Sequence, residues 1–287
     1  MSLESRAATT DDGAEASDGR SGSASAIGAD ADAAETVGRH AADAAPIVAS
    51  DLTKRYDDTL VFDGLDLSVD PGEVCCLLGP SGCGKTTLLH LLAGLEEPTA
   101  GRVEIDGERV TEPDYRWGVV FQDPLLYPWL SVRENVEIGP RLRGEEPDPD
   151  LIDDLLDLVG LDGVADADTS DLSGGMAQRA SLARTLANEP EALLLDEPFS
   201  ALDQLTKMEL QDELLRIVDE LGVTAVFVTH DIDEAVYLGD RVAIMGPVPA
   251  GIEHVERIDS ETRSRDDEAF LAERAATFEH LEAVGLE

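Results

Sequence analysis

The chain has 287 residues, 43% of them hydrophobic, which suffices for one sizeable α/β domain or a domain with an appendage. Its formal net charge is −41, from 62 acidic and 21 basic residues. A surface this acidic repels nucleic acid and anionic lipid headgroups, which argues against binding either through a basic patch. No apolar run reaches the roughly 18 residues that span a bilayer, and no apolar stretch of signal-peptide type is visible. We therefore expect a cytoplasmic protein whose membrane role, if any, is supplied by a partner.

The acidic residues are spread along the whole chain. Self-repulsion of this kind destabilises a compact state in dilute buffer. At about 1 M salt the screening length falls to about 3 Å, which removes most of the penalty. The composition therefore predicts adaptation to a salty cytoplasm, as in halophilic archaea. The alternative is an acidic patch that binds a basic partner, but the even distribution of the acidic residues favours salt adaptation.

The first part of the chain changes character near residue 46. Residues 1–45 are rich in Ala, Gly, Ser and Asp, and a segment with so few large apolar side chains is expected to be disordered. Residues 48–56 and 65–69 are predicted strands of a small antiparallel sheet, with Asp63 and Gly64 as turn residues between them.

The rest of the chain alternates between strands and helices. Strands are predicted at residues 73–78, 103–105, 118–121, 192–195 and 225–229, and helices over residues 85–93 and 205–221. Continuous apolar runs such as 225–229 are typical of parallel strands covered on both faces. Residues 123–171 are more polar and helical, with one apolar face formed by Leu151, Ile152, Leu155, Leu156 and Val159. After Met245 no further strand is expected, and residues 265–282 predict a charged helix.

A glycine-rich segment follows the first buried strand. It fits the pattern G-x-x-x-x-G-K-[ST] and consists of Gly79, Pro80, Ser81, Gly82, Cys83, Gly84, Lys85, Thr86 and Thr87. Such glycines let backbone amides converge on a β-phosphate, and the following helix adds its positive end. Lys85 is expected to neutralise the β- and γ-phosphates, while the Thr86 hydroxyl ligates Mg²⁺. The motif, with a strand before it and a helix after it, predicts ATP binding.

Two acidic residues end the strand near residue 195. Asp196 is placed to hold Mg²⁺, and Glu197 follows it directly. An acidic pair after a strand is often only a solvated loop, but here Pro198 comes next and a Ser-Ala-Leu-Asp run ends at Asp203. That order resembles a known ATPase family, and the resemblance implies a functional pair.

The segment Leu172-Ser-Gly-Gly-Met176 is the most specific signal. Ser173, Gly174 and Gly175 stand at the start of a predicted helix. Exposed amides at a helix N-terminus form an anion site. The segment therefore predicts a second site for phosphate oxygens, separate from the phosphate loop.

These segments, together with Phe121-Gln122-Asp123 and Thr229-His230-Asp231, occur in an order that resembles the nucleotide-binding subunit of ABC transporters. The resemblance runs from about residue 47 to 246. It implies the α/β fold of a P-loop NTPase of ABC type: a mixed sheet core, an antiparallel β-subdomain and a helical subdomain at about 123–186. The predicted organisation is an acidic tail at 1–45, an ABC ATPase domain at 46–250 and a C-terminal helical extension at 251–287.

The resemblance also implies roles for single residues. Glu197 matches the general base that polarises the attacking water, and His230 matches the switch histidine that contacts the γ-phosphate. Gln122 matches the glutamine that completes the Mg²⁺ shell, and Asp203 falls among the nucleotide-binding residues. Tyr56 matches the aromatic residue that stacks on adenine. The alternatives are a structural role for His230 and packing against the sheet for Tyr56.

The implied partners are a second ATPase subunit and a membrane permease. Two subunits would associate head to tail, each capping the other's ATP through Ser173; a homodimer is expected, and a paralogous partner is the alternative. Met176 departs from the usual glutamine of the signature, as in a subgroup of importers. A single ATPase domain, without fused membrane helices and without room for a coiled coil between Gln122 and Ser173, favours an importer over an exporter or a soluble ABC ATPase.

The substrate class follows only from the resemblance. Residues 118–135, Met176 and the runs 196–203 and 229–238 resemble the nitrate/sulfonate/taurine/bicarbonate importer group. Import of a pyrimidine or vitamin precursor is the alternative, and a soluble ABC ATPase without a transport role is a further one. A substrate-binding protein would be an indirect partner.

Residues 125–129 are too apolar for an exposed loop unless a partner covers them. They consist of Leu125, Leu126, Tyr127, Pro128 and Trp129. The resemblance implies that a short cytoplasmic helix of the permease docks here, which would hold the chain at the cytoplasmic face of the membrane. The alternative is that these side chains pack within the helical subdomain.

We expect thermal stability to rise towards molar KCl, because salt screens the repulsion among 62 acidic residues. A melting series from dilute buffer to molar KCl measures this. A melting temperature that stays flat or falls over the series would contradict salt adaptation.

Overall fold

The computed structural model describes residues 44–200, 202–258, 264–265 and 267–284. Apart from residues 44 and 45, the predicted N-terminal tail lies outside this part of the chain. Ala45 is buried and its amide donates a hydrogen bond to the Glu191 carbonyl, so the folded domain includes the end of the predicted tail.

Seventeen strands and helices are described, besides two short 3₁₀ turns. The strands are β1 (Ile47–Tyr56), β2 (Thr59–Val69), β3 (Val74–Leu78), β4 (Ala100–Ile105), β5 (Glu108–Arg109), β6 (Trp117–Val120), β7 (Ala192–Asp196), β8 (Thr224–Thr229), β9 (Arg241–Met245) and β10 (Ile252–Arg257). The helices are α1 (Lys85–Leu92), α2 (Val132–Leu142), α3 (Pro149–Leu158), α4 (Gly174–Leu186), α5 (Gln204–Leu221), α6 (Ile232–Leu238) and α7 (Glu268–Ala283).

Two sheets organise the strands. A four-stranded antiparallel sheet has the order β2-β1-β4-β5, and a six-stranded mixed sheet has the order β10-β9-β3-β8-β7-β6. In the six-stranded sheet only β10 is antiparallel to its neighbour. The predicted fold class, a mixed sheet with an antiparallel sheet and helices, is confirmed.

The six-stranded sheet is buried on both faces. In β3, Cys76 and Leu78 face one apolar cluster, which also takes residues from α2 to α7, while Cys75 and Leu77 face a second cluster with α1 and the antiparallel sheet. Because apolar contacts are needed on both faces, β3, β7 and β8 are continuous apolar runs, as predicted.

The turn predicted at Asp63-Gly64 is wrong. Strand β2 runs through both residues, and the chain reverses between Tyr56 and Thr59 instead. Gly64 has a φ of +76°, and the β1–β2 register shifts opposite it, between Leu52 and Lys54. A glycine inside a strand often marks such a bulge, so the signal belonged to a bulge rather than to a chain reversal.

The expectation of no strand after Met245 is also wrong. Strand β10 pairs with β9 at the edge of the sheet, and its residues alternate between half-buried and exposed. It has this alternating pattern because only one of its faces is covered. The predicted C-terminal helix is confirmed as α7, with Phe270 and Thr277 as its buried residues.

Strand register aligns the ends of the central strands. Leu78 of β3 pairs with Thr229 of β8, and Asp196 of β7 pairs with Val228 of β8. The residues that follow these strands therefore meet at the carboxyl-terminal end of the sheet. None of the helices in the described part of the chain is long and apolar enough to cross a membrane.

Candidate nucleotide site

The phosphate loop connects β3 to α1. The Lys85 side chain is 5% exposed, and its ammonium donates hydrogen bonds to the carbonyls of Gly79 at 2.7 Å and Pro80 at 2.9 Å. Gly84 precedes the helix with a φ of +104°, and a Cβ there would lie 2.9 Å from the Phe62 ring. Only glycine fits this position, because both the backbone angle and the space exclude a side chain.

The start of α1 is joined to the end of β7. The Thr86 hydroxyl donates a hydrogen bond to Asp196 Oδ1 at 3.2 Å. Asp196 is 7% exposed. Burial raises the pKa of this carboxyl; the Thr86 hydrogen bond opposes the shift and the Glu197 charge adds to it. The pair therefore presents two oxygen ligands side by side, beneath the phosphate loop.

Glu197 leaves the strand through a left-handed backbone conformation. Its φ is +42°, and its amide donates a hydrogen bond to the Val228 carbonyl at 3.0 Å. Non-glycine residues rarely adopt such angles, and strained backbone positions of this kind cluster at functional sites. The turn brings Glu197 Oε1 to 3.2 Å from His230 Nδ1. The structure thus brings together the carboxylate and the histidine that sequence analysis named separately.

A buried ion-pair network supports the His230 segment. Lys207 Nζ, on α5, lies 2.7 Å from Asp231 Oδ2 and 2.6 Å from Glu234 Oε1. Thr229 donates its hydroxyl proton to Glu234 and accepts a hydrogen bond from the Asp231 amide at 3.0 Å. Asp231 and Glu234, which follow His230 along the chain, are therefore fixed to α5, and Thr229 before it is bonded to both of them.

Sequence analysis missed this network, although one signal was present. Lys54, Lys85 and Lys207 are the only lysines in the chain. Lys54 and Lys207 are each ion-paired with carboxylates, and Lys85 is hydrogen-bonded to carbonyls of the phosphate loop. Burial alone would lower the pKa of Lys207, but Asp231 and Glu234 raise it.

Two further predicted residues, Gln122 and Asp203, lie just after β6 and just before α5. Gln122 is exposed just beyond β6, where the Gln178 side chain donates to the Phe121 carbonyl at 3.1 Å. Asp203 caps α5 by accepting hydrogen bonds from the Leu205 and Thr206 amides, each at 3.2 Å.

Ser173 caps α4 by accepting a hydrogen bond from the Met176 amide at 3.3 Å. Ser173 and Gly174 are exposed, while Gly175 is buried so close to α5 that a Cβ would lie 2.6 Å from Thr206. Within the described residues, no hydrogen bond joins Ser173 to the phosphate loop. The segment 172–176 therefore exposes the N-terminus of α4 at the surface.

Tyr56 ends β1 and is 42% exposed. Its hydroxyl donates to Glu96, and the Lys54 ammonium lies 4.7 Å from the ring centroid. The Thr87 hydroxyl at the end of the phosphate loop also interacts with Tyr56. Burial and the Glu96 carboxylate raise the pKa of this tyrosine. Its ring therefore lies next to the phosphate loop, with surface left for a ligand.

Comparison with known proteins agrees with this geometry. Residues 62–200 match the family model described as ABC transporter. The chain is 48% identical over 223 residues to an aliphatic sulfonates import ATP-binding protein, SsuB 2, of Burkholderia cenocepacia, covering 77% of this chain and 82% of the relative. The chain belongs to the ABC transporter ATP-binding proteins.

Two further similarities refine the assignment. The taurine import ATP-binding protein TauB of Roseobacter denitrificans is 44% identical over 204 residues, which cover 70% of this ABC protein and 76% of the relative. A solved ATP-binding cassette, in a dimeric post-hydrolysis state bound to ADP and phosphate, is 30% identical with a TM-score of 0.66. That match covers 74% of this chain and 98% of the cassette.

Asp196→Asn is expected to stabilise the nucleotide-free and metal-free protein at neutral pH. The folded-state pKa of Asp196 lies above its ordinary value, so the ionised carboxylate costs stability at neutral pH, and this cost vanishes as the pH falls below the unfolded-state pKa. We therefore expect this variant to melt at a higher temperature than the wild type. Thermal unfolding with a chelator in molar KCl measures it.

Asp231→Asn is the matched control. Burial alone would raise the pKa of Asp231, but Lys207 holds it below its ordinary value. Its ionised form therefore adds stability above the unfolded-state pKa, and that stability is lost as the pH falls through the folded-state pKa. This variant should melt at a lower temperature at neutral pH. If both variants shifted in the same direction, the charge argument would be wrong.

Proposed function

We propose that this protein is the ATP-hydrolysing subunit of an ABC importer and energises uptake of a small solute through a separate permease. The main observation is that the Thr86–Asp196 and Glu197–His230 pairs lie beside the phosphate loop. Both pairs are at the carboxyl-terminal end of the six-stranded sheet. The import ATP-binding proteins that match the chain supply the transport role.

The phosphate loop binds the ATP phosphates. Lys85 exchanges its bonds to the Gly79 and Pro80 carbonyls for bonds to the β- and γ-phosphates, which are stronger acceptors because they are charged. The loop amides and the start of α1 supply further donors and positive potential. Tyr56 contributes its exposed ring to the adenine base by stacking.

The Thr86 and Asp196 oxygens fit Mg²⁺, a hard cation that is bound through one or two protein oxygens together with phosphates. Gln122 completes this set from the end of β6. The ion, when bound, neutralises charge that develops on the transferred phosphoryl group. A cation held by Asp196 would also offset the cost of burying its charge.

Glu197 acts as the base that orients and polarises the attacking water. Its backbone geometry aims the carboxylate into the site, and its distance of 3.2 Å from His230 keeps it beside the group that meets the γ-phosphate. Lys207 holds Asp231 and Glu234, which follow His230 along the chain, in place against α5. Catalysis here consists of positioning and charge stabilisation.

The site is completed by a second subunit. Ser173 and Gly174 are exposed at the start of α4, where a helix N-terminus can bind phosphate oxygens of another molecule's ATP. The similar solved cassette is dimeric with ADP and phosphate bound, which supports a head-to-tail homodimer that closes on two ATP molecules. Asp203 is exposed at the start of α5, the helix whose Thr206 packs against Gly175.

The solute belongs to the sulfonate and taurine type. The relatives named for aliphatic sulfonates and for taurine, at 48% and 44% identity, support this class. The protein would sit at the cytoplasmic face of the membrane through its permease, and a substrate-binding protein would deliver the solute on the other side. Its net charge of −41 supports operation in a salty cytoplasm of halophilic type.

The permease docks on the segment after Gln122. Trp129 is 75% exposed and Leu125 is 60% exposed, while Leu126 packs against the core. The Tyr127 and Trp129 rings lie 5.5 Å apart and form an exposed aromatic pair. Exposure of this much apolar surface supports a docking role over packing within the helical subdomain.

Glu197→Gln should trap the closed dimer, because the glutamine keeps the size of the side chain but cannot polarise the attacking water. ATP turnover is expected to fall at least about 100-fold, the range typical of a lost general base. Light scattering after size exclusion, with ATP and Mg²⁺ in molar KCl, should show a dimer. A variant that stays monomeric in saturating ATP would argue against the head-to-tail mechanism.

Trp129→Ala should weaken permease assembly and leave ATP binding unchanged, because an exposed aromatic anchor contributes mainly to a partner interface. Co-purification with the permease and binding of a fluorescent ATP analogue measure the two effects. Leu142→Ala, which removes another exposed apolar side chain, is the matched control. Equal loss of both properties in Trp129→Ala would point instead to a packing role.

A further inference from the structure

Two of the five histidines in the chain meet between β10 and α7, away from the nucleotide site. His254 lies on β10 and His280 on α7, and their rings are stacked with centroids 3.7 Å apart and an interplanar angle of 28°. Glu256 lies on the same face of β10 as His254 because strand residues two apart share a face. All three side chains are half-buried.

The ligand atoms of this cluster already lie close together. One donor atom from each of the three residues lies within 4.8 Å of the others, and His280 Nδ1 is 3.1 Å from Glu256 Oε2. Zinc is bound by imidazole nitrogens at about 2.0–2.1 Å and by carboxylate oxygens at about 2.0–2.2 Å. Coordination of one ion by both histidines therefore requires the stacked rings to turn about their side-chain bonds.

A hydrogen bond from α7 orients the Glu256 carboxylate. The Thr277 hydroxyl, which is fully buried, donates a hydrogen bond to Glu256 Oε1. Hydrogen bonds to ligating carboxylates are a regular feature of built metal sites, because they fix the orientation of the ligand. Glu256 itself is only 11% exposed. The remaining oxygen, Oε2, is the one that faces His280.

We propose that His254, Glu256 and His280 bind a divalent transition-metal ion of the zinc class, with water in the remaining position. Two imidazoles and one carboxylate form a ligand set suited to zinc. Magnesium and calcium prefer all-oxygen sets, so the two imidazoles select against them.

The site would join the last strand to the last helix. His254 and Glu256 belong to the edge strand, and His280 lies near the end of α7, so a bound ion clamps one end of the helix to the sheet. The other half of α7 packs against α6, where the Phe270 and Tyr237 rings are 6.4 Å apart in an edge-to-face contact. Helix α6 directly follows His230 along the chain. Metal binding would therefore stabilise α7, which packs against the helix that follows His230.

Calorimetric titration of the nucleotide-free, chelator-stripped full chain with ZnCl₂ tests the proposal. Molar potassium nitrate screens the acidic surface, and its anion complexes zinc weakly. We expect one Zn²⁺ per chain and a rise in melting temperature with zinc concentration, because a ligand that binds only the folded state stabilises it. An excess of Mg²⁺ should not displace the ion.

Four variants locate the site. His254→Ala and His280→Ala should each lower the zinc affinity at least about tenfold, and Thr277→Val by about 10–100-fold, the range for a lost outer-shell hydrogen bond. Glu253→Gln, on the exposed face of β10, should bind as the wild type does. Metal-free melting temperatures show whether each variant is folded.

The absence of stoichiometric zinc binding by the wild type would overturn the proposal. Binding that both histidine variants retain would overturn it as well, because it would show adsorption to the acidic surface. If His280→Ala fails to fold, His254→Ala and Thr277→Val decide, since both changes leave α7 with its other contacts to α6.

Discussion

Backbone hydrogen bonds fix the phosphate-loop strand β3 beside β8, and β8 beside β7, with Leu78, Thr229 and Asp196 at one edge of the sheet. Every residue with a proposed catalytic role follows one of these strand ends. The 3.2 Å contacts between Thr86 and Asp196 and between Glu197 and His230 both depend on that register. A slip of one residue would turn each side chain to the opposite face of its strand, so the buried apolar faces of the sheet also determine the geometry of the site.

Two of the three lysines of this acidic chain lie at the site that the strand ends form. The chain has a net charge of −41 and three lysines, and Lys85 and Lys207 are held in buried or half-buried contacts at the site. Salt screens exposed pairs strongly and buried pairs much less. In molar salt the surface repulsion is screened, while the Lys207 contacts to Asp231 and Glu234 keep much of their strength. A protein of this composition can therefore lose lysines from its surface and still retain those that position the His230 segment.

Most of the fold could be predicted from the sequence, because buried parallel strands and a phosphate loop have strong local patterns. Elements with one covered face were harder: β10 alternates too briefly to stand out, and Gly64 signals a bulge as readily as a turn. The contact between Glu197 and His230 depends on strand order and on a positive φ that no residue type announces. The Lys207 network and the histidine cluster join residues more than 20 positions apart, so only the tertiary structure brings them together.

The central proposal is that this chain hydrolyses ATP to drive transport by a membrane partner. The most direct measurement is recovery of tagged Glu197→Gln protein from the membranes of its source cells, with ATP and Mg²⁺ in molar KCl, followed by identification of the proteins that co-purify. A polytopic permease should be among them, and a substrate-binding protein recovered with it would define the solute. Recovery of soluble partners alone, from a preparation in which the closed dimer has formed, would contradict a role in import.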